Sequence, residues 1–288
     1  MLQQHLTAPG KLIAIALATL TLVAACAPVF AQEMKNPPAT DRNSLTIGVG
    51  VGYTPSYEGS DDYVVIPSGV IRGKVAGFSF FSRGPIVFVD LVREDGEVDV
   101  SLGPVVSARF DRTTQIKDRQ VRALGKLDTA IEVGGFVGIA KTGIITSDYD
   151  NLGVRVSYVH DVTGTHGSYV ITPAIEYGTP LSRKAYLGIS ASADYVGKGY
   201  ASTYYGVTPA GSLASGLPAY VADDAGFKKF NINLLGSYSL TGDLTAGLSV
   251  FAVGSYGRML GDFKRSPIVR QAGDADQWFG GLGVAYTF

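Results

Sequence analysis

Apolar and polar side chains alternate along most of the chain beyond residue 43. Leu45, Ile47, Val49, Val51 and Tyr53 alternate with Thr46 and three glycines. Val98, Val100, Leu102 and Val106 alternate with Asp99, Ser101, Gly103 and Ser107. Ile131, Val133, Val137 and Ile139 oppose Glu132, Gly134 and Gly138; Val154, Val156 and Tyr158 oppose Arg155 and Ser157. The same stripe returns in Tyr169–Tyr177, Leu187–Tyr195, Ile232–Leu240, Leu244–Val250 and Trp278–Phe288. A period of two puts successive side chains on opposite faces of a strand. The pattern therefore predicts an all-β chain with strands at 44–54, 63–72, 75–82, 85–92, 97–110, 128–140, 152–161, 168–179, 184–196, 227–240, 243–255 and 277–288.

A soluble sandwich and a transmembrane β-barrel share this pattern. Most of the segments have the length of a tilted strand crossing a bilayer, about 9–11 residues, rather than the usual 5–6. Aromatic residues mark the ends of the apolar faces: Tyr53, Tyr158 and Tyr195 at one end, Tyr177, Tyr238, Tyr286 and Phe288 at the other. Rings at those positions suit the headgroup level of a membrane. Short connections at 72–74, 93–97, 180–183 and 241–243 contrast with long ones at 111–127, 197–226 and 257–276. The expected fold is an antiparallel transmembrane barrel of about twelve strands over 44–288, with both termini periplasmic and the long loops external.

The start of the chain fits export to such a site. Lys11 precedes the uncharged run Leu12–Ala25, the pattern of a secretion signal. A cut after Ala31 makes 1–31 a signal peptide and leaves 32–43, with Pro37 and Pro38, as a flexible periplasmic segment. The alternative is acylation at Cys26, which follows Val23-Ala24-Ala25. A barrel already holds itself in the membrane, so the cut after Ala31 is preferred. No cysteine follows, so no disulfide is expected in the exported protein. With a formal net charge of −1, the chain has no basic surplus for nucleic acid.

Candidate chemistry is sparse. Beyond the leader the histidines are His160 and His166, in a short loop with Asp161 and Ser168 close by. Hydrolysis would need a histidine within hydrogen-bond reach of a nucleophile or water. A polar loop rim is the simpler reading, and no catalytic residue, cofactor or metal site is assigned. The glycines of Gly48–Gly52 lie on one face of a strand with no helix after them, so they form no dinucleotide loop. Glu132, Arg155, Glu176 and Asp194 share the inward parity, as expected of charges that pair across a narrow lumen.

The last residues, GLGVAYTF, end on Phe288 with Tyr286 in register behind it. They resemble the terminal strand read by the outer-membrane barrel assembly machinery. From Ser44 to Phe288 the chain resembles the MipA/OmpV family. The resemblance rests on GVGVGYTPSYEGSDDY (48–63), YYGVTPA (204–210, with Tyr204, Tyr205 and Gly206), SGLPAY (215–220), LGDFKRSPIV (260–269, with Ser266 and Pro267) and FGGLGVAYTF (279–288). SARFDR (107–112) departs from the Gly-Arg-Asp turn more common in the family. The resemblance implies a non-enzymatic scaffold in a Gram-negative outer membrane, in contact with lipid and lipopolysaccharide, that links a lytic transglycosylase to a murein synthase. A small-solute channel, or a surface-interacting, adhesin-like barrel acting through its long loops, is the alternative.

Overall fold

The computed structural model describes residues 43–93 and 98–288. The proposed leader and nearly all of the 32–43 segment lie outside them. The described residues form twelve strands: β1 Ser44–Pro55, β2 Tyr63–Val75, β3 Phe78–Arg83, β4 Ile86–Asp90, β5 Val98–Arg109, β6 Ala130–Thr142, β7 Asn151–Asp161, β8 Tyr169–Pro180, β9 Ala185–Val196, β10 Gly226–Ser239, β11 Gly247–Met259 and β12 Asp276–Thr287. Each pairs antiparallel with its neighbour in sequence, and β1 closes the barrel on β12. The closing register runs from Thr46↔Thr287 to Tyr53↔Gly280. Beyond it, the Phe288 N–H donates to the Leu45 carbonyl at 2.9 Å. The first and last strands therefore begin and end at the same end of the barrel.

Burial is inverted relative to a soluble protein. Val49 is 63% exposed, Val51 57% and Leu282 65%, and all three point outward. Such a belt is stable only against hydrocarbon. Aromatic pairs bracket it. Tyr53 stacks on Tyr63, with ring centroids 4.9 Å apart, where β1 turns into β2. Tyr286 meets Phe288 edge-on at 4.7 Å at the other end.

Local chemistry sets the turns. Ala76 (φ 53°) and Gly77 (φ 86°) join β2 to β3 in the left-handed geometry that matches strand twist. The predicted start of β11 at 243 is wrong: the strand starts at Gly247. Ser239 Oγ accepts the N–H groups of Gly242 and Asp243, and Asp243 Oδ1 accepts from Thr245, so Leu244 belongs to a turn. The stretch 75–92 does form two strands, but they are short. β3 shares four register pairs with β2, from Arg72↔Phe81 to Val75↔Phe78, whereas β1 shares twelve with β2.

At the end away from the termini the long loops carry helices that period-two reasoning does not reveal: α1 Arg119–Ala123, α2 Lys198–Tyr205, α3 Pro209–Ser215, α4 Gly261–Arg265 and α5 Pro267–Arg270. α2 turns inward. Its Tyr200, Tyr204 and Tyr205 are buried in one apolar cluster with the inner-wall residues Val105, Phe136, Val159, Val170 and Val196. A second cluster roofs it, with Tyr57, Val121, Leu217 and Ile268 from four different connections. Ser266 Oγ donates to the Tyr205 carbonyl at 2.7 Å and so ties the last loop to α2. The main core of this barrel lies in its mouth.

The lipid-facing belt makes a direct prediction. Val49→Arg and Val284→Arg, partners at the middle of the β1–β12 ladder, should each cost about 2–4 kcal/mol. Urea titration of the barrel refolded into lipid vesicles measures this; a loss under about 1 kcal/mol would put these positions outside the apolar band.

Candidate functional site

Glu58 sits in the β1–β2 loop and turns into the mouth. Its carboxylate accepts from Lys228 Nζ at 2.8 and 2.9 Å, and Lys229 Nζ lies 2.8 Å away. Tyr200 and Tyr205 of α2 donate their hydroxyls to the same carboxylate at 3.0 and 2.8 Å. One side chain thus joins the first loop, the wall and the inward helix. Burial opposes its charge, but Lys228, Lys229 and Arg109 more than offset that, so its pKa lies well below the usual carboxylate range.

Two adjacent lysines reach the same carboxylate because β10 is irregular where it starts. The register with β9 shifts between Phe227 and Lys229, so Lys228 is the extra residue of a bulge. Lys228 is 1% exposed and also lies 3.6 Å from Asp194. Alongside, Arg109 Nε and Nη2 hold both oxygens of Glu132 at 2.9 and 3.1 Å. The Arg109 guanidinium also covers the Tyr200 ring at 4.9 Å.

The four charges picked out by inward parity fall into two groups. Glu132 and Asp194 belong to the mouth cluster. Arg155 and Glu176 pair with each other at 2.6 Å, and Arg83 joins them at 2.5 Å. Tyr204, Tyr205, Gly206, Ser266 and Pro267 all lie at the α2–α5 contact. Tyr286 and Phe288 lie on the terminal strand and its end, remote from the mouth.

The histidines are not paired as a hydrolase would need. His160 is exposed on the outer face, while Asp161 is buried. The Asp161 carboxylate instead accepts the N–H groups of Thr163, His166 and Gly167. His166 Nδ1 accepts the Ser168 N–H at 3.2 Å, which leaves the proton on Nε2 facing Glu132 at 3.1 Å. Both ring nitrogens are engaged, so the ring is not free to act as a base.

Sequence reasoning did not single out Glu58, Arg109, Asp111, Tyr200, Lys228 or Lys229. Glu58 lies within the quoted 48–63 stretch, and Arg109 and Asp111 lie in the departing SARFDR stretch. The loop at that stretch takes left-handed turns at Arg112 and Gln115, both at φ 55°. The doubled lysine was the available signal for a strand whose parity breaks.

The first loop, the α2 loop and the last loop, together with the closing strand, form a single assembly, and these are the segments that carry the resemblance. The family model described as MltA-interacting protein MipA matches residues 47–288. The chain belongs to the MipA family. No curated protein matches it. Among solved structures, an outer membrane channel from Pseudomonas putida F1 is 11% identical, with 88% of this chain and 100% of that one covered, at a TM-score of 0.42. The Pseudomonas putida toluene transporter TodX is 9% identical, with 86% and 90% covered and a TM-score of 0.36. OmpT of Vibrio cholerae is 8% identical, with 86% and 97% covered and a TM-score of 0.35. Likenesses this distant carry no functional argument.

The cluster generates two predictions. Glu58→Gln removes the carboxylate that two lysines share, leaving only Asp194 at 3.6 Å from Lys228, and should destabilise the mouth by about 3 kcal/mol. Faster amide exchange across Lys198–Tyr205, with the strands still protected, is the expected reading. Asp111, whose Oδ1 accepts the Glu58 N–H at 2.7 Å, is pushed up to about 6 by burial and by the Glu58 charge. A raised carboxyl pKa favours the fold while the group is protonated, and that contribution is lost as pH rises through 6. Loop stability should therefore increase from pH 7.5 to pH 5, and Asp111→Asn should remove the increase; amide exchange at the two pH values, corrected for intrinsic rates, checks it.

Proposed function

We propose that this MipA-family barrel is a non-enzymatic scaffold of the outer membrane. In this reading it is exported through a leader removed after Ala31, keeps both termini in the periplasm, and docks a lytic transglycosylase and a murein synthase. The family description as an MltA-interacting protein supports the partner. The observation that carries the reading against an open pore is the tyrosine-filled mouth, where Tyr200 and Tyr205 are completely buried.

The end that bears the termini has a surface suited to docking. The β6–β7 connection is not a minimal turn. Asp150 accepts the N–H groups of Ile144, Ile145 and Thr146 at 2.7, 2.9 and 2.5 Å, and Tyr177 donates to it at 2.9 Å. This stiff loop holds out Ile145, 64% exposed, and Ile144, 41% exposed. A preformed apolar knob loses little entropy when a partner covers it. A small-solute channel is the second reading, favoured by a cavity of about 400 Å³ beside the filled mouth.

Gentle extraction from intact envelopes should co-purify a lytic transglycosylase, and Ile144→Asp with Ile145→Asp should abolish this while the barrel stays folded. Failure of the unaltered protein to retain the enzyme overturns the scaffold. In planar bilayers no stepwise conductance is expected; steady open-pore steps would favour the channel.

A further inference from the structure

The wall of the barrel is not evenly sealed. On the β1 side, β2 is paired along its whole length, from Ser44↔Lys74 to Pro55↔Tyr63. On the other side its ladder with β3 stops at Arg72. Two bonds identify which backbone groups face this side: the Ile71 N–H donates to Ser82 Oγ at 3.0 Å, and the Tyr63 carbonyl accepts from Lys117 Nζ at 2.6 Å. Residues of the same parity between them are Val65, Pro67 and Gly69, which have no strand partner there among the described residues. Pro67 has no N–H to leave unpaired, the usual mark of a strand edge. A Cβ at Gly69 would meet nothing nearer than the Gly48 carbonyl at 3.8 Å.

This edge lies at membrane depth. Val65 and Ile71 point outward, 64% and 37% exposed, below the Tyr53–Tyr63 aromatic pair. Unpaired backbone is tolerated at that depth only where it lines a cavity or is covered by protein. A cavity lies across the seam, against the facing β3–β4 hairpin turn and the end of β5 rather than against β2 itself. The space of about 400 Å³ is bounded on the seam side by Pro85, Ile86 and Phe110, and across the lumen by Asn231 and Phe279. Asp111 also lines it. Its neighbours Glu58 and Glu132 have cationic partners, but among the described residues no cation lies within ion-pair distance of Asp111. Arg109 and Lys229 also line the space, each paired with its own carboxylate, and Arg109 and Arg112 act on Asp111 from longer range. A carboxylate that makes no ion pair of its own, beside aromatic and aliphatic walls, is complementary to a cation with an apolar body.

We propose that the seam between β2 and the β3–β4 hairpin is a side portal through which a membrane-soluble alkylamine enters the lumen, its ammonium held at Asp111. The portal is independent of the scaffold reading and requires no movement of α2. The apolar body crosses the wall among Val65, Pro67 and Ile86, and the charge ends on the one cavity carboxylate free to take it.

The exported barrel in lipid nanodiscs, which has no cysteine beyond Cys26 of the leader, tests this with octylamine and octanoate. The single tryptophan, Trp278, borders the cavity and reports binding through its fluorescence. At pH 7.5 octylamine should give a saturable change and octanoate none. Asp111→Asn should weaken octylamine by about ten-fold or more. Ile71→Cys with Ser82→Cys, the next pair in register, should on oxidation slow octylamine entry by about ten-fold, and reduction should restore it. An equal response to octanoate, or unchanged affinity in the Asp111 variant, overturns the amine site. An entry rate indifferent to the staple overturns the portal. The octanoate contrast and the reduced form of the staple serve as controls independent of any folding defect.

Discussion

Backbone polar groups in hydrocarbon must be satisfied by other backbone groups, and almost everything in this molecule follows from that constraint. It forces the β1–β12 closure, sets the strand lengths and turns apolar side chains outward. It also explains where the remaining freedom went. With its outer face committed to lipid, the barrel can build a buried core only inside. The loops at one end supply that core, folding tyrosines against an inner wall that offers Val105, Phe136 and Val196.

The charge arrangement has its own logic. Two lysines and an arginine taken out of water would be costly alone, and a carboxylate among them would be equally so. Together they are satisfied, because Glu58 accepts from both lysines and from two tyrosine hydroxyls. The arrangement is cooperative: the first loop, the start of β10 and the α2 helix each supply part of it, and Glu58 is fully satisfied only when all three are in place.

The strands were legible because lipid enforces strict alternation over long runs, from Leu45–Tyr53 to Trp278–Phe288. Charges on regular strands were legible for the same reason, so Glu132 and Glu176 could be assigned a face from parity. The mouth was not. α2 is eight residues long, with Lys198 its one charged residue, and its burial depends on wall residues spread over five strands, from Val105 to Val196. Lys228 was hidden by a bulge that breaks the period on which its face would have been read. β11 was placed four residues early because Leu244 fits the stripe, while the turn is fixed by Ser239 and Asp243 side chains that hydropathy ignores.

Barrel closure also has a consequence for the order of assembly. Tyr57 follows the first strand, and its hydroxyl donates to the carbonyl of Ala272, just ahead of the last strand. The contacts that roof the mouth thus bridge the same two ends of the chain as the β1–β12 ladder. A growing chain cannot complete them until the loop before its final strand has been made, because Ile268 and Ala272 are among the partners. Sealing the cylinder and stoppering it both wait on the same last stretch of chain, and a chain cut short before Ile268 forfeits both at once.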